Sequence, residues 1–132
     1  MRKVRRRIQV TEEWITRYAR SIGAPMQTIG GELIAPATMP VIFWQEFDIP
    51  WLKEEDAWIH GSQRFSYEAP MTAGMNLDCE LSLTKAETKE GRQGKLTLYT
   101  HNLVCYNGND LIVTAETVLI QAGERHENTN HG

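Results

Sequence analysis

Residues 38–50 read TMPVIFWQEFDIP, and the fold follows from how little polar surface this stretch has. Its apolar side chains point to all sides of a helix, and a helix that is apolar nearly all round is a buried one. Thr38 can cap the first turn, Pro40 has no N–H to lose there, and the helix should end before Pro50. The stretch therefore predicts a buried helix that the rest of the chain has to enclose.

The residues after this helix change to the two-residue period of β-strands. In residues 75–84, MNLDCELSLT, apolar and polar side chains alternate strictly, which predicts a strand with one buried face. Three more strands are predicted at 59–67, 96–106 and 111–120, with hairpin turns over 88–94 and at Asn107-Gly108. Four antiparallel strands after a buried helix predict an α+β fold in which a curved sheet wraps that helix. One such sheet cannot cover the whole helix and both of its own edges, so we expect a dimer.

The residues before the buried helix predict a strand, a second helix and a loop. Residues 3–10 are predicted to be a short strand or an extended arm. Thr11 is a strong helix start, and apolar residues at helical spacing follow it until Gly23, which is well placed to end the helix. Residues 24–37 contain two prolines and the pair Gly30-Gly31, which together predict an irregular loop.

The composition is that of one ordinary globular domain. The chain has 132 residues, of which 41% are apolar and 23% charged, and this size leaves no room for a second domain. We assign residues 1–120 to the domain. Residues 121–132, QAGERHENTNHG, lack large apolar side chains and are expected to form a disordered tail.

The net charge of −3 hides an uneven distribution. Residues 1–10 carry five positive charges and no acid, whereas the rest of the chain holds nine basic and seventeen acidic residues. The acidic body makes nucleic acid a poor partner, and the basic start is predicted to be a solvated edge, with an anion site as the alternative. No apolar run reaches the ~18–20 residues of a membrane span, and no signal-peptide core follows the basic start. We therefore expect a cytoplasmic protein with no membrane partner, in which Cys79 and Cys105 are reduced and buried.

Three stretches carry a resemblance to a known family. They are IAPATMPVIFW at residues 34–44, the segment from IHGSQRF to EGRQGKL at residues 59–96, and VTAETVLI at residues 113–120. Together they resemble the hot-dog fold, and more closely the non-catalytic, N-terminal-type half of MaoC-like acyl dehydratases. The resemblance runs from about Val10 to Ile120 and implies a single hot-dog domain, which is half of a two-domain unit.

The resemblance implies a chemistry, and also that part of it is missing from this chain. MaoC hydratases add water reversibly to a trans-2-enoyl thioester: an Asp and a His activate the water, and a backbone N–H before the central helix polarises the thioester carbonyl. The Asp and His lie in a loop of the form GD-x-NP-x-H after the first helix. Here residues 23–29, GAPMQTI, match that loop, with Ala24 at the Asp position and Ile29 at the His position. We therefore expect no hydratase activity from this chain alone.

The other site candidates follow from the same resemblance. Ala37 and Thr38 match the place of the thioester-polarising N–H groups. Substrate binding is predicted for these two residues and for Met39, Phe43, Trp44, His60, Gly61 and Arg92. No catalytic residue is assigned, although two candidates are kept: Glu46, because some hot-dog thioesterases carry a carboxylate on this helix, and His60, which follows the connector after it.

Each candidate also has a structural alternative. Thr38 can serve as a simple helix cap, and the apolar candidates of the central helix can be plain core. Glu46 can be a solvated helix end, and His60 a hydrogen-bonded structural residue. His101, in the middle of a strand, is expected to be a satisfied polar residue rather than a catalyst. No histidine shows metal-ligand spacing, so no metal is predicted.

Three functions remain open at this stage. The first is an accessory subunit of an acyl-thioester hydratase or dehydratase, which pairs with a MaoC-like partner that supplies Asp and His. The second is a homodimeric acyl-CoA thioesterase that uses Glu46, and the third is a non-enzymatic acyl-CoA-binding homodimer. The substrate is expected to be an acyl-CoA or acyl-carrier thioester, with no separate cofactor. Chain length, carrier, pathway and the choice between homodimer and heterodimer stay open.

Overall fold

The computed structural model describes residues 2–52, 57–92 and 94–122 and contains one large sheet, one small hairpin and two helices. The elements follow one another as β1 (Arg2–Gln9), α1 (Glu12–Ile22), β2 (Gln27–Ile29), β3 (Glu32–Ile34), a 3₁₀ helix (Met39–Glu46), β4 (Ile59–Tyr67), β5 (Asn76–Gly91), β6 (Gly94–Asn107) and β7 (Asp110–Ala122). We call the 3₁₀ helix the central helix.

Five antiparallel strands form the large sheet, in the order β1-β5-β6-β7-β4. Strands β1 and β4 are its two edges, and β2 and β3 pair separately as a hairpin. The apolar face of the sheet packs against α1 and the central helix. The fully buried side chains at this contact include Ile15, Met39, Phe43, Leu77, Leu81, Leu103 and Val113. The predicted α+β arrangement, a curved sheet around an apolar helix, is confirmed.

The first helix has the ends that its sequence predicts. The Thr11 hydroxyl accepts a hydrogen bond from the Trp14 N–H at 3.1 Å, which satisfies one of the free donors of the first turn. Gly23 ends the helix in the left-handed conformation, with φ 69°. Ile15 and Ala19 face the core and are buried, so the amphipathic pattern is confirmed.

The central helix differs from the prediction in type and in burial. It is an eight-residue 3₁₀ helix, and Met39, Pro40 and Phe43 are its buried residues. Pro40 is tolerated in the first turn, but the β-branched Val41 and Ile42 crowd a helical turn, which weakens a regular α-helix. Val41, Ile42 and Trp44 are only half-buried. The prediction of burial on all sides is therefore wrong for the chain by itself.

Three predicted loop boundaries are also wrong. The segment 24–37 contains the hairpin β2–β3, whose turn is made by Gly30 and Gly31, both with positive φ (58° and 85°). Cross-strand pairing of β5 with β6 continues to Gly91↔Gly94, so residues 88–91 and Gly94, which were expected in the loop, belong to the strands. Strand β7 extends to Ala122, two residues into the expected tail. The rest of that tail, 123–132, lies outside the described residues.

Ion pairs account for the basic start of the chain. Strand β1 pairs with the acidic strand β5, and Arg5 and Arg7 lie 2.9 and 3.1 Å from carboxylate oxygens of Glu80 and Asp78. Lys3 adds a longer contact with Glu80, at 3.8 Å. The predicted solvated edge strand is thus present, with its charges partly neutralised by its neighbour. Within the described ranges no helix is both long enough and apolar enough to cross a bilayer.

Candidate functional site

Two backbone N–H groups are left free where the central helix begins. The N–H groups of Met39 and Val41 each donate to the carbonyl three residues earlier, at 3.0 and 3.1 Å, and Pro40 has no N–H. The N–H groups of Ala37 and Thr38 have no hydrogen-bond partner among the described residues, and both residues are exposed. Since first-turn donors need outside partners, these two groups are available to an acceptor from outside the chain.

Two tyrosine hydroxyls hold the same two residues. Tyr67, at the end of β4, donates its hydroxyl to the Ala37 carbonyl oxygen at 2.7 Å. Tyr18, on α1, shares a hydrogen bond of 2.7 Å with the Thr38 hydroxyl. Thr38 occupies the cap position of the central helix but makes no side-chain cap bond, and its hydroxyl is directed to Tyr18 instead. The expected capping role of Thr38 is therefore wrong, and its backbone N–H stays free.

The donors at this site are electrically neutral. Burial raises the pKa of the Tyr67 phenol well above its usual range, and the neighbouring Cys105 and Tyr18 act in the same direction. The Tyr67 hydroxyl therefore stays protonated at any physiological pH and donates a hydrogen bond to the Ala37 carbonyl oxygen. The site offers polarised N–H groups and hydroxyls rather than a charge.

An apolar cleft of about 360 Å³ adjoins these residues. It lies between the chain that enters the central helix and the chain that leaves β4. Its lining residues are Ile34, Ala35, Ala37, Tyr67, Glu68, Ala69, Pro70 and Met71. Glu68 is the one ionisable carboxylate of that lining and is exposed. The cleft is suited to an uncharged, largely apolar group.

The segment that matches the family's acid–base loop is now placed in the structure. Ala24 closes the last turn of α1, with its N–H donating to the Ala19 carbonyl at 2.9 Å. Ile29 lies on β2, with 54% of its surface exposed, and Met26 nearby is 48% exposed. Neither Ala24 nor Ile29 can transfer a proton. The segment that matches the acid–base loop of MaoC hydratases therefore presents exposed apolar side chains instead of an acid and a base.

The two candidate catalytic residues lie far from the free N–H groups. Glu46 is exposed at the opposite end of the central helix, in a separate cleft with Arg5 and Arg6. Eight residues of 3₁₀ helix separate it from Thr38 by roughly 16 Å. His60 is the second residue of β4 and is exposed, seven residues and roughly 23 Å of strand before Tyr67. Neither side chain shares a site with Ala37 and Thr38 in one chain.

The predicted binding residues fall into two groups. Ala37, Thr38 and Met39 are adjacent at the start of the central helix, with Phe43 one turn further on, stacked on Trp14 at 5.4 Å between ring centroids. Trp44 packs instead against His101, at 5.0 Å. The second group, His60, Gly61 and Arg92, lies at the start of β4 and in the β5–β6 turn. The structure does not bring the second group to the helix start.

A polar row, half-buried at Gln63 and buried at Thr117 and His101, was not predicted from the sequence. Gln63, Thr117 and His101 are direct cross-strand neighbours on β4, β7 and β6, and Thr117 donates to the Gln63 side-chain oxygen at 2.8 Å. The Trp51 indole N–H donates to Nε2 of His101 at 2.9 Å.

His101 is hydrogen-bonded, as its mid-strand position predicts. Because Nε2 accepts from Trp51, the ring is neutral with its proton on Nδ1, which lies 3.1 Å from the Tyr99 carbonyl oxygen. Burial lowers its pKa, against a smaller raising effect of the backbone hydrogen bonds.

Tyr18 and Tyr67 were also missed as site residues. Both fall on faces that the sequence pattern assigns to the core, where a tyrosine is counted as apolar. A useful signal was available, because the hydroxyl of a tyrosine on a buried face normally finds a hydrogen-bond partner. Here both hydroxyls form hydrogen bonds at the start of the central helix, so the two tyrosines mark a polar site beside the core.

Comparisons with known proteins agree with this architecture. Residues 3–116 match the family described as the FAS1-like dehydratase domain region. A UPF0336 protein of Clavibacter michiganensis subsp. michiganensis is 28% identical over 132 residues, covering 87% of this chain and 86% of the relative.

Solved structures share the fold at low sequence identity. The C-terminally truncated HadBC complex, a (3R)-hydroxyacyl-ACP dehydratase of Mycobacterium tuberculosis, is 19% identical with a TM-score of 0.70, covering 90% of this chain and 96% of that one. A MaoC-like dehydratase from Rhodospirillum rubrum is 12% identical with a TM-score of 0.66, covering 92% and 90%. The fold is the hot-dog fold.

Proposed function

The chain belongs to the family of FAS1-like dehydratase domain regions, and we propose that it is a partner-dependent hot-dog subunit of an acyl-thioester hydratase or dehydratase. In this proposal the chain contributes thioester binding and the subunit interface. A MaoC-like partner contributes the Asp and His that activate water. The alternative functions, a thioesterase or a simple acyl-CoA-binding protein, need no such partner.

One observation carries the proposal: the chain keeps the free N–H groups of the family's site and lacks its acid–base pair. Ala37 and Thr38 are exposed residues whose N–H groups have no partner among the described residues, whereas Ala24 and Ile29 stand at the positions that the resemblance gives to the proton-transferring residues. A thioesterase that uses Glu46 is disfavoured, because that carboxylate is roughly 16 Å from the donors along the helix. In this proposal the chain supplies the donors that bind the thioester, and the partner has to supply the acid and the base.

The proposed reaction divides between the two subunits. In hydration, the partner's base takes a proton from water while the oxygen adds to C3 of the enoyl thioester, and the electron pair moves to the thioester oxygen. That developing enolate needs donors already aimed at it, which is what the N–H groups of Ala37 and Thr38 supply. The partner's acid then protonates C2. Dehydration is the same sequence in reverse.

The substrate is an acyl thioester, carried on CoA or on a carrier protein. Its carbonyl oxygen would accept from Ala37 and Thr38, and the adjoining apolar cleft of about 360 Å³ would hold part of the uncharged chain on either side of the sulfur. The exposed Glu68 at this cleft repels phosphate. The phosphate-bearing end of the substrate is therefore placed away from the cleft.

The unpaired edge of β4 is the proposed surface for the partner. Glu68, just after the strand, donates its N–H to the Ile112 carbonyl on β7 at 2.8 Å. Since successive residues of a strand point their backbone groups to opposite sides, those of Phe65 and Tyr67 point to the open side. The similar HadBC structure is a complex, which supports pairing with a second subunit. A strand added along β4 would lie beside Tyr67 and the helix start.

Hydration of crotonyl-CoA tests the proposal. The chain alone, a MaoC-like protein with an intact Asp/His loop alone, and their mixture are assayed for loss of the enoyl absorbance and for release of free thiol. We expect hydration from the mixture far above the sum of the separate proteins, and no thiol release. Hydration by the chain alone would show that it has an acid–base pair of its own and would refute the proposal. Thiol release that Glu46→Ala abolishes would establish the thioesterase instead.

A further inference from the structure

We propose that Tyr67 is a positioning residue that fixes the direction of the Thr38 N–H, with Tyr18 as a second support. This inference rests on the proposed function, because it concerns the same thioester site. It assigns a role to two side chains that carry no part of the acid–base chemistry and do not need to touch the reacting atoms.

The geometry of one peptide unit is the basis. The Ala37 carbonyl and the Thr38 N–H belong to the same peptide, and in a trans peptide these two groups point in opposite directions. The chain has no cis peptide within its described residues. When Tyr67 holds the Ala37 oxygen at 2.7 Å, it therefore aims the Thr38 N–H to the side away from its own ring.

The same peptide lies in the middle of a backbone turn, which the Met39 N–H closes by donating to the Pro36 carbonyl at 3.0 Å. Thr38, with φ −91° and ψ 0°, has the angles of the third residue of a type I turn, and its side chain does not cap the helix. The turn leaves the Ala37 carbonyl and the Thr38 N–H without backbone partners among the described residues, so the Tyr67 bond is what fixes the tilt of the peptide and the direction of the N–H. A donor that has to be reoriented during the reaction loses the advantage of preorganisation.

Tyr67 is itself firmly placed. It is paired with Val113 on β7, which is paired with Cys105 on β6, so its position is set by the sheet rather than by a loop. Burial keeps its hydroxyl protonated, so it is always a donor to Ala37. Tyr18 approaches from α1 and holds the Thr38 hydroxyl at 2.7 Å, which keeps that oxygen from competing for the free N–H groups.

The test uses Tyr67→Phe in the complex with an Asp/His partner and crotonyl-CoA as the probe. The variant loses only the hydroxyl, so the ring still fills its place. We expect kcat to fall about tenfold, less than the 10²–10³ lost when an oxyanion donor itself is removed, with KM within about twofold. Tyr18→Phe should cost about threefold, because it holds the side chain of Thr38 and not its peptide.

Tyr106→Phe is the matched control. Tyr106 lies on β6 in a different cleft, with Arg5, Arg7 and Val104, and is 40% exposed. It should leave kcat and KM unchanged. A purely structural role for Tyr67 would show as a lower melting temperature with kcat preserved in the folded fraction.

The outcomes separate the two proposals. An active wild-type complex in which Tyr67→Phe keeps kcat within twofold overturns the positioning role and leaves the proposed function standing. A wild-type mixture that hydrates no enoyl thioester overturns the proposed function and the positioning role with it. A selective fall in kcat, absent in Tyr106→Phe, establishes Tyr67 as a positioning residue.

Discussion

The two edges of the large sheet are built differently. Strand β1 carries five positive residues, and three of them form ion pairs with Glu80 and Asp78 on β5. Strand β4 carries one, Arg64, and begins with Ile59, which is 59% exposed. Charged side chains along an edge oppose the addition of another strand, whereas a mostly uncharged edge permits it.

This difference assigns separate tasks to the two edges. Three of the five basic residues of β1 are paired with acidic side chains of its neighbour in the sheet. The edge at β4 is left open and ends at Tyr67, next to the free N–H groups of Ala37 and Thr38. A partner that joins at β4 therefore reaches the candidate site, and one at β1 does not.

Amide hydrogen exchange gives the largest expected contrast between the edges. When the subunit is assembled, the outward N–H groups of Phe65 and Tyr67 should exchange at least about 100-fold more slowly than in the isolated chain, as hydrogen-bonded strand amides do. Amides of β1 should exchange at unchanged rates. Residue-resolved exchange by NMR measures both. New protection on β1 instead would reverse the assignment of the edges.

Glycine 61 tests how tightly the open edge is fitted to its neighbour. At the irregular pairing between His60 and Ser62, a Cβ on Gly61 would lie 2.7 Å from Ile120 Cδ1 and 3.2 Å from the Val118 carbonyl oxygen. Gly61→Ala should lower the free energy of unfolding by about 1–3 kcal/mol through overpacking. Urea denaturation measures the loss.

Gly91→Ala is the control for this substitution. The nearest atom to its added Cβ is the Gly94 carbonyl oxygen at 3.5 Å, an ordinary contact. Its effect should be within about 0.5 kcal/mol, as for most substitutions away from crowded sites. If both variants lose the same free energy of unfolding, close packing around Gly61 is not the cause of its loss.

The polar row that leads inward from β4 predicts sensitivity to acid. Burial lowers the pKa of His101 in the folded chain below the ordinary value of about 6.5 that it has when unfolded. Its contribution to stability is thus complete above about pH 6.5 and is lost as the pH falls below that value, by at most about 1.4 kcal/mol per pH unit. Unfolding free energies at pH 7.5 and 5.5 measure the loss.

His101→Gln supplies the comparison, because glutamine does not titrate. The difference in stability between the two pH values should be smaller in this variant than in the wild type. An identical pH dependence in both proteins would contradict the neutral, buried state of His101, in which Nε2 accepts from Trp51.

The smallest expected effect is at the charged edge. Arg5→Ala removes an ion pair whose arginine side chain is 80% exposed. Exposed pairs of this kind contribute about 0.2–1 kcal/mol, and salt screens them. The loss should therefore shrink further at 0.5 M NaCl, and exchange at β4 should not change. A loss above 2 kcal/mol would mean that β1 is more than a neutralised edge.

Local signals in the sequence predicted most of the sheet and the first helix. The alternation in residues 75–84 and the cap residues Thr11 and Gly23 depend only on nearby residues in the chain. The strand and the helix ends could therefore be predicted from the sequence. The central helix was predicted in place but not in type or burial. Its burial depends on which other residues cover Val41, Ile42 and Trp44, and a local sequence pattern does not predict those contacts.

The candidate site was predictable only in part. Ala37 and Thr38 were placed by their match to a family, and the absence of the acid–base pair was visible in residues 23–29. The hydrogen bonds from Tyr18 and Tyr67 join residues that are 20 and 30 positions apart in the chain. The polar row on β4, β7 and β6 likewise depends on cross-strand register, which sequence periodicity does not give.

The central claim is that this chain completes an active site whose acid and base belong to a partner. Its most direct test is a titration: a fixed amount of a MaoC-like protein with an intact Asp/His loop receives increasing amounts of this chain, and the initial rate of crotonyl-CoA hydration is followed. We predict a rate that rises linearly and stops rising at one chain per partner, with no rate from this chain alone. A rate that is independent of the added chain, or hydration by the chain without a partner, would contradict the claim.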